Sequence, residues 1–369
     1  SHRMRFSVQR EVLLKPLSQV VGVVERRQTL PVLANLLVSV SAEGVSFTGT
    51  DLEVEMVARM AADQLDPGEI TIPARKLFDI CRALPDGIKI DFKQNGERVT
   101  MSAGRSRYTL STLPAAEFPQ VDNIDLLERV TLPEATLKEL IDRTAFAMAH
   151  QDVRYYLNGT LLDLREQALR CVATDGHRLA LCETGIELNA KARRQIIIPR
   201  KGVLELQRLL DAGDGTVEIE FGRNHLRVRR SDFVFTTKLI DGRFPDYEAV
   251  IPIGADKILT VAREDLRAAL QRASILSNEK YRGVKMELAP GRLHIVAHNP
   301  EQEEAVEELE VATHVDGLAV GFNVNYLLDA LSALRGTEVM LCLRDGNSSC
   351  LIRDADNERS RHVIMPLRL

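Results

Sequence analysis

The feature that most constrains the fold of this 369-residue chain is a segment that occurs three times. The copies are GVSFTGTD (44–51), ALRCVATD (168–175) and RLHIVAHN (292–299), so their last residues, Asp51, Asp175 and Asn299, are 124 positions apart. Each copy keeps apolar or small residues at every second position, which is the period of a half-buried strand. Each ends in residues whose side chains hydrogen-bond the local backbone in turns. The chain is therefore expected to repeat one strand-and-turn unit three times.

Two other blocks repeat with the same order. FSVQREVLLKPL (6–17), VTLPEATLKELI (130–141) and LTVAREDLRAAL (259–270) each pass from strand alternation to helical spacing. PARKLFDICRALPDG (73–87) and PRKGVLELQRLLDAG (199–213) place Pro early and Gly late, as short helices do, and FNVNYLLDALSALRGT (322–337) is the third copy. The order strand, helix, strands, helix, strands predicts an α+β protein of three tandem pseudo-repeated domains, each with two helices packed on antiparallel sheets. We expect the domains at 1–125, 126–253 and 254–369.

The N-terminal residues, the apolar runs and the cysteines limit the class of protein to which this chain can belong. Ser1–Arg3 precede Met4 and are expected to be a remnant of an expression vector, with no leader before Met4. No apolar run approaches the length of a membrane span, so no membrane is expected as a partner. The five cysteines are scattered, odd in number and without a CxxC pair, which predicts buried thiols in a reducing cytoplasm and no zinc site. No cofactor or metal is expected.

The charge is unevenly distributed. The chain as a whole has a formal net charge of −5, which argues against a protein that grips nucleic acid with its entire surface. The expected helices nevertheless hold fifteen Lys or Arg against eight Asp or Glu; they span residues 13–27, 75–84, 137–150, 200–210, 263–274 and 325–335. Such helices would suit the phosphates of duplex DNA without reading its sequence. Arg82, Arg200, Lys201 and Arg208 are candidates for this contact.

The segment ATDGHRLALC (173–182) admits three interpretations. Asp175 and His177 could be an acid–base pair, because residues two apart on a strand share a face. The same residues could form a solvated turn or one wall of a binding pocket. The other repeats carry Glu53 and Glu301 at the place of His177, and no G-x-S-x-G nucleophile motif occurs in the chain. A turn or a pocket wall is therefore preferred to a catalytic site.

Several motifs in order make the chain resemble the bacterial sliding clamp family, the beta subunit of DNA polymerase III, from Met4 to Leu369. The motifs are LPVLANLL, GTDLEVEM, SRYTLSTLPAAEFP, MAHQDVRYYLNG, VATDGHRLA, IPRKGV, DGRFPDY, ASILSNEKYRGV, NPEQEEA, GFNVNYLLDAL and MPLRL. The resemblance implies a processivity factor without catalytic activity of its own. It also implies a head-to-tail homodimer whose ring encircles duplex DNA, with helices lining the hole.

The resemblance further implies a cleft between the second and third domains that receives short peptides, often with Gln followed by Leu and Phe. The expected partners are a clamp loader, the replicative polymerase alpha subunit, translesion polymerases, and mismatch-repair and ligase-type proteins. Ala249 departs from the basic residue common before Val250 in the family, and Glu248 precedes it. The matching cleft residues are Leu157, Thr174, Gly176, His177, Arg178, Leu179, Pro245, Val250, Ser349, Val363, Met365, Pro366, Leu367 and Arg368.

Two other surfaces follow from the same resemblance. Duplex DNA would contact Arg27, Gln151, Tyr155 and Tyr156. The dimer interface would join the third domain to the first domain of the partner, using Lys76, Arg105, Arg107, Tyr108, Leu110, Ile275, Leu276, Glu301, Glu303 and Glu304. Two competing hypotheses are a hydrolase using Asp175 and His177, and a monomeric peptide-binding protein that does not bind DNA.

Overall fold

The computed structural model describes residues 3–27, 29–120, 123–186 and 193–368. The first repeat comprises β1 (Arg5–Gln9), α1 (Arg10–Val21), β2 (Asn35–Ser41), β3 (Gly44–Thr50), β4 (Val54–Met60), β5 (Asp63–Asp66), β6 (Gly68–Pro73), α2 (Ala74–Ala83), β7 (Lys89–Asn95), β8 (Arg98–Ala103) and β9 (Ser106–Ser111).

The second repeat comprises β10 (Leu126–Pro133), α3 (Glu134–Asp142), β11 (Gly159–Leu164), β12 (Ala168–Thr174), β13 (Arg178–Gly185), β14 (Arg194–Pro199), α4 (Arg200–Leu209), β15 (Thr216–Gly222), β16 (His225–Arg230) and β17 (Phe233–Lys238). The third comprises β18 (Lys257–Ala262), α5 (Arg263–Ser274), β19 (Gly283–Ala289), β20 (Arg292–His298), β21 (Glu304–Glu310), β22 (Leu318–Asn323), α6 (Val324–Ala333), β23 (Glu338–Leu343), β24 (Cys350–Asp354) and β25 (Asn357–Ile364).

The repeat predicted from the sequence is confirmed. Strands β3, β12 and β20 begin and end 124 residues apart; each starts with the recurring segment and ends one residue before its last position. In all three repeats the first strand passes directly into its helix, as at Gln9 and Arg10. Apolar residues four apart face inward on these helices, for example Leu13 and Leu17 on α1 and Leu266 and Leu270 on α5, all fully buried. The α+β class with two helices per repeat is therefore correct.

The helix lengths and the charge count were predicted wrongly. Helix α1 ends at Val21 and α3 at Asp142, so Arg26, Arg27 and Arg143 lie beyond their helices, and Arg335 lies beyond α6. The six helices of the described chain carry twelve Lys or Arg against nine Asp or Glu. Only α2 and α4 combine three basic residues with a single acid, whereas α3 and α6 are net acidic. The positive surplus is thus largest on the second helix of the first two repeats, while α1 and α5 each carry a surplus of one.

The chain contains two compact units. The first consists of Ser1–Glu134 and Arg208–Leu239, the second of Ala135–Gln207 and Ile240–Leu369. The first unit holds a five-stranded sheet, β5-β1-β7-β8-β9, and an eight-stranded sheet, β10-β15-β16-β17-β4-β3-β2-β6. The second unit holds an eight-stranded sheet, β14-β11-β12-β13-β25-β24-β23-β18, and a four-stranded sheet, β21-β20-β19-β22. All strand pairs in these sheets are antiparallel.

These units do not follow the repeat boundaries because sheets continue from one repeat into the next. Strand β17 of the second repeat pairs with β4 of the first, with Phe235 opposite Met56. Strand β25 of the third repeat pairs with β13 of the second, with His362 opposite Ala180. Each junction fuses two four-stranded sheets into one of eight strands. The central repeat is consequently shared between the two units.

The cysteines lie in the protein interior. All five cysteines are free and buried, as predicted. Burial raises the pKa of the Cys81 and Cys182 thiols to about 11 and that of Cys171 to about 12.

Among the helices of the described residues, the longest of which have 12 residues, none is long and apolar enough to cross a lipid bilayer.

Candidate functional site

The turn between β12 and β13 is built by Asp175. Its Oδ1 accepts the backbone N–H groups of His177 at 2.9 Å and Arg178 at 3.1 Å. Thr174 Oγ1 donates to the carbonyl of Arg178 at 2.6 Å. The first repeat makes the same turn, where Asp51 Oδ1 accepts from Glu53 at 2.9 Å and Val54 at 2.7 Å. The prediction that the recurring Asp forms a turn is confirmed.

Both carboxylate oxygens of Asp175 already accept hydrogen bonds, which argues against an acid–base pair with the His177 ring. Its second oxygen, Oδ2, accepts from Arg178 Nε at 3.2 Å, and both of these side chains are about one-sixth exposed. The His177 ring instead stacks on the Tyr326 ring, with centroids 6.5 Å apart. Asp175 is therefore a shielded structural carboxylate rather than a solvated one. Its oxygens hold Arg178 and the turn in place.

Arg178 is fixed from several directions. Its Nη1 donates to Asp329 Oδ2 at 2.6 Å, and its Nη2 donates to the carbonyl of Phe146 at 3.1 Å. The guanidinium lies 4.4 Å from the centroid of the Tyr326 ring and 5.5 Å from that of Phe146. A cation between two aromatic faces and two carboxylates has little freedom. Arg178 thus presents a rigid polar edge beside the apolar groove described next.

An apolar groove of about 120 Å³ opens between the β12–β13 turn and the end of β25. Its floor is a buried cluster that includes Leu157, Leu179, Phe244, Tyr247 and Val363. Such a concave, mainly apolar surface with a few fixed polar groups suits a small ligand or peptide side chains. Nine of the predicted cleft residues line it: Leu157, Thr174, Gly176, Arg178, Leu179, Pro245, Val250, Val363 and Met365.

Five predicted cleft residues do not line this groove: His177, Ser349, Pro366, Leu367 and Arg368. Two of them, His177 and Leu367, make backbone hydrogen bonds that hold the C-terminal segment of the chain in place. The carbonyl of His177 accepts the N–H of Met365 at 3.0 Å, and Leu367 N–H donates to the carbonyl of Gly321 at 2.7 Å. These bonds position the C-terminal segment that carries Met365.

Three lining residues were not predicted as part of the cleft. Arg154, Tyr156 and Tyr247 line the groove, although Tyr156 had been predicted as a DNA contact. Tyr247 follows the Phe-Pro segment that the first two repeats share, which is the only sequence signal for it. Arg154 and Tyr156 come from the segment that carries Leu157, so their proximity in sequence to this predicted cleft residue is the signal that could have indicated them.

Arg154 and Gly176 meet at one edge of the groove. Gly176 has φ +89°, a backbone conformation that favours glycine, and a Cβ built on it would lie 2.9 Å from Arg154 Nη1, so a larger residue would also displace the Arg154 side chain. Arg154 is oriented by Asp152, which accepts from its Nε at 3.1 Å and its Nη2 at 2.9 Å. The hydrogen bond from Arg154 lowers the pKa of Asp152 to about 2.

The predicted DNA contacts are spread over loops and two helices. Tyr155 is 55% exposed, and Gln151 is exposed with φ 56°, a left-handed backbone conformation. Arg82 on α2 is exposed and lies over the Phe78 ring. Arg27 is exposed beyond the end of α1, and Arg200 and Lys201 begin α4 half-buried. Arg208 donates to the carbonyls of Ser18 and Gln19 at 2.8 and 2.9 Å, so it also caps α1.

The predicted dimer contacts lie on two edge strands and their surroundings. Ile275, after α5, is 77% exposed, while Leu276 is half-buried. On or beside β9, Arg105 and Arg107 are exposed, Tyr108 is half-buried, and Leu110 is already buried within its own sheet. Lys76 on α2, Glu301 and Glu303 before β21, and Glu304 at the start of β21 are all exposed.

Comparison with known proteins gives a consistent result along the chain. Family models of the DNA polymerase III beta subunit match residues 4–122 with the N-terminal domain, residues 131–246 with the central domain and residues 248–368 with the C-terminal domain. The beta sliding clamp of Pseudomonas aeruginosa is 53% identical over 367 residues, covering 99% of this chain and all of the relative. That of Escherichia coli is 51% identical with the same coverage.

Solved structures agree with these sequence matches. A Pseudomonas aeruginosa sliding clamp bound to griselimycin has a TM-score of 0.97 and 53% identity, covering 99% of this chain and 100% of that one. A Caulobacter crescentus beta sliding clamp has a TM-score of 0.95 at 38% identity, with complete coverage of both chains. In the described part of this chain, no group of three His, Cys, Asp or Glu side chains could hold a metal ion.

Proposed function

Because the chain belongs to the DNA polymerase III beta subunit family and is a DNA sliding clamp of the replication machinery, we propose that its apolar groove receives short peptides of its protein partners. The single observation that carries this is the groove itself, whose apolar floor is bordered by the immobilised Arg178. Met365, an adaptable thioether side chain that is 39% exposed, suits contacts with varied peptides.

Peptide binding is tested by fluorescence anisotropy with a labelled Gln-Leu-Ala-Leu-Phe peptide. We expect saturable binding that weakens at least about tenfold in Met365→Glu, because a carboxylate would then border an apolar site. Met60→Glu is the matched control, since Met60 is half-exposed in the other unit. Absence of saturable binding by the unsubstituted protein would refute the proposed cleft.

We propose a head-to-tail homodimer that joins β9 of one protomer to β21 of its partner. Three equivalent rows of residues cross the sheets of the described chain. They run Phe6–Phe92–Met101–Tyr108, Val130–Ile219–Val228–Phe235 and Leu259–Leu341–Ile352–His362. The second and third rows continue into a neighbouring repeat, at Met56 and Ala180. The first row stops at Tyr108 on an edge strand, which is the place where a partner strand would continue it.

The same rows predict a register for the proposed junction. Met56 and Ala180 lie opposite Gly49 and Ala173, and the corresponding third-repeat pair is Ala297 and Ala305. Tyr108 should therefore face Ala305 of the partner subunit, and Thr109 should face the partner's Glu304. The charges are complementary, because Arg107 lies on β9 while β21 carries four glutamates in seven residues.

Cysteine cross-linking tests this register. Directly opposed strand residues have Cα atoms about 4.5–5.5 Å apart, within the range of a disulfide. The double variant Thr109→Cys/Glu304→Cys should form a covalent dimer on oxidation. Thr109→Cys/Ala305→Cys should not, because adjacent strand residues point to opposite faces. The native cysteines are buried and contribute little background. A particle of one chain's mass in sedimentation at micromolar concentration would contradict the dimer and favour a monomeric peptide-binding protein.

We propose that three domains, with boundaries near 125 and 253, close as a dimer into a ring around duplex DNA. The matched family domains meet between residues 122 and 131 and between residues 246 and 248, which is close to these boundaries. Arg27, Arg82, Gln151, Tyr155, Tyr156, Arg200, Lys201 and Arg208 are proposed to meet DNA phosphates without reading the sequence.

Retention on DNA distinguishes encirclement from ordinary binding. The protein is loaded by its cognate clamp loader onto nicked circular DNA, the complex is isolated, and half of it is linearised. We expect loss from the linear molecules and retention on the circles. Equal retention on both would show binding by contact and would refute the ring.

The remaining assignments rest on the family. We propose that the protein acts in the cytoplasm, without catalytic activity or cofactor, and that its cleft serves the clamp loader, the polymerase alpha subunit, translesion polymerases and repair proteins. The hydrolase hypothesis would require turnover that is lost in His177→Ala. The stacking of His177 on Tyr326 and the engagement of both Asp175 oxygens argue against it.

A further inference from the structure

A network of charged side chains lies behind one wall of the groove. This wall is the segment 245–250, in which Pro245 and Val250 line the groove and Tyr247–Ala249 form one short 3-10 turn. Tyr247 is 1% exposed and is among the largest fully buried side chains. Its ring belongs to the apolar floor, whereas its hydroxyl reaches the charged groups beneath. Tyr247 therefore connects the binding surface to the network.

The Tyr247 hydroxyl uses its full hydrogen-bonding capacity. It donates to Asp163 Oδ2 at 2.6 Å, and it accepts from Arg165 Nη2 at 2.9 Å and Arg170 Nη1 at 3.2 Å. A phenol has one donor and two acceptor sites, so all are filled. Burial and the hydrogen bond to Asp163 raise the pKa of Tyr247, which keeps the donor proton in place.

Asp163 is the centre of the network. It is fully buried on β11, and Arg193 holds both of its oxygens through Nε at 3.0 Å and Nη2 at 2.8 Å. Burial alone would raise the pKa of Asp163, but the hydrogen bonds from Arg193 and Tyr247 leave it lowered. Asp163 is therefore a charged, multiply bonded anchor for the Tyr247 hydroxyl.

Glu248 gives the wall a second attachment. Its Oε1 accepts from Arg165 in a short hydrogen bond and from Arg193 Nη2 at 3.4 Å. The hydrogen bond from Arg165 lowers the pKa of Glu248. Glu248 directly precedes Ala249, the position at which the sequence differs from the basic residue common in the family. Glu248 thus supplies a carboxylate that binds two arginines from elsewhere in the same unit.

We propose that Tyr247 and Glu248 are positioning residues that fix the groove wall, so that Pro245 and Val250 meet a peptide without rearrangement. This inference rests on the proposed peptide-binding function. Preorganisation raises affinity because ordering costs are met before the ligand arrives. Removing either attachment should weaken peptide binding although neither polar group touches the peptide.

The primary test is Tyr247→Phe, with Tyr281→Phe as the matched control because Tyr281 is 58% exposed outside the groove. We expect Kd for the Gln-Leu-Ala-Leu-Phe peptide to rise about tenfold in Tyr247→Phe and to stay unchanged in the control. Hydrogen exchange supplies a readout independent of the peptide. The amides of Ala249 and Val250, bonded to the carbonyls of Asp246 and Tyr247, should exchange faster, whereas those of the β12–β13 hairpin should not.

A second variant covers the case in which Tyr247→Phe disturbs the whole core. Glu248→Gln removes charge from a side chain that is 46% exposed, and it should raise Kd about threefold and accelerate the same two amides. Unchanged Kd and unchanged exchange in both variants, with normal binding by the unsubstituted protein, would overturn the inference. If the unsubstituted protein fails to bind but the two amides respond, the peptide proposal fails and the positioning of the wall stands.

Discussion

Replacing Asp175 by Ala distinguishes a structural turn residue from a general base. The substitution removes hydrogen bonds to the amides of His177 and Arg178, each worth about 1 kcal/mol net. It also removes the ion pair with Arg178, in which both side chains are largely shielded, for about 1 kcal/mol more. We therefore expect the free energy of unfolding of this unit to fall by about 2–3 kcal/mol.

The first repeat offers a matched control for this substitution. Asp51→Ala removes the equivalent pair of backbone hydrogen bonds from a turn in the other unit, at a cost of about 2 kcal/mol. Denaturant titration and hydrogen exchange at residues 177 and 178 measure the stability, and anisotropy measures the peptide affinity. Asp175→Ala should weaken the peptide severalfold, since Arg178 loses one anchor, while Asp51→Ala should leave it unchanged. Equal peptide affinity and unchanged amide protection in Asp175→Ala would refute the reasoning.

Three further outcomes follow from individual residues. Leu52→Gly should stabilise the protein by about 1 kcal/mol in thermal denaturation, because Leu52 has φ 79° and is 44% exposed; Leu52→Ala, which keeps the strained backbone, should not. Burial lowers the pKa of His362 from 6.5 to about 3, so the unfolded chain binds the extra proton between those values. The free energy of unfolding should then fall by about 1.4 kcal/mol per unit as pH drops from 6.5 towards 4.5, and a persistent slope in His362→Gln would assign it elsewhere. The native protein should resist thiol alkylation until it is unfolded, since its cysteines are buried with raised pKa values; labelling of folded protein detected by mass spectrometry would contradict this.

Sequence periodicity located the strands well because each recurring segment alternates sharply and ends in a turn residue. It overestimated α1, which the sequence extended to Arg27, because Val23 and Val24 continue the apolar pattern although the helix ends at Val21. A constant spacing of 124 also misplaced one part of the third repeat. Gly49 pairs with Met56 and Ala173 with Ala180, but Ala297 pairs with Ala305, so this turn is one residue longer.

The candidate groove was recovered from motif resemblance rather than from local pattern. Its apolar lining comes from distant strands, and neither alternation nor charge indicates which of them become neighbours. The network beneath it was missed for the same reason. Asp163 and Arg170 face each other on β11 and β12, but the approach of Tyr247 depends on how a distant segment folds back onto that sheet. Buried charge in a strand carries no sequence signature that identifies its partner.

The internal repeat explains the location of the groove, and the side chains explain its chemistry. The first unit has a second pocket at the β4–β17 junction, lined by the counterparts of the groove residues. The shared positions are Thr50 and Thr174, Leu52 and Gly176, Val54 and Arg178, Glu55 and Leu179, Pro119 and Pro245, Thr236 and Val363, and Lys238 and Met365. Both junctions of four-stranded sheets in the described residues therefore carry a concavity. At the first junction, Glu55, Thr236 and Lys238 replace the apolar floor, and Leu52 stands where glycine leaves room for Arg154. Apolar peptide side chains are consequently better suited to the groove at the second junction. At the first junction they would displace water from a carboxylate and an ammonium group without offering a hydrogen bond in exchange.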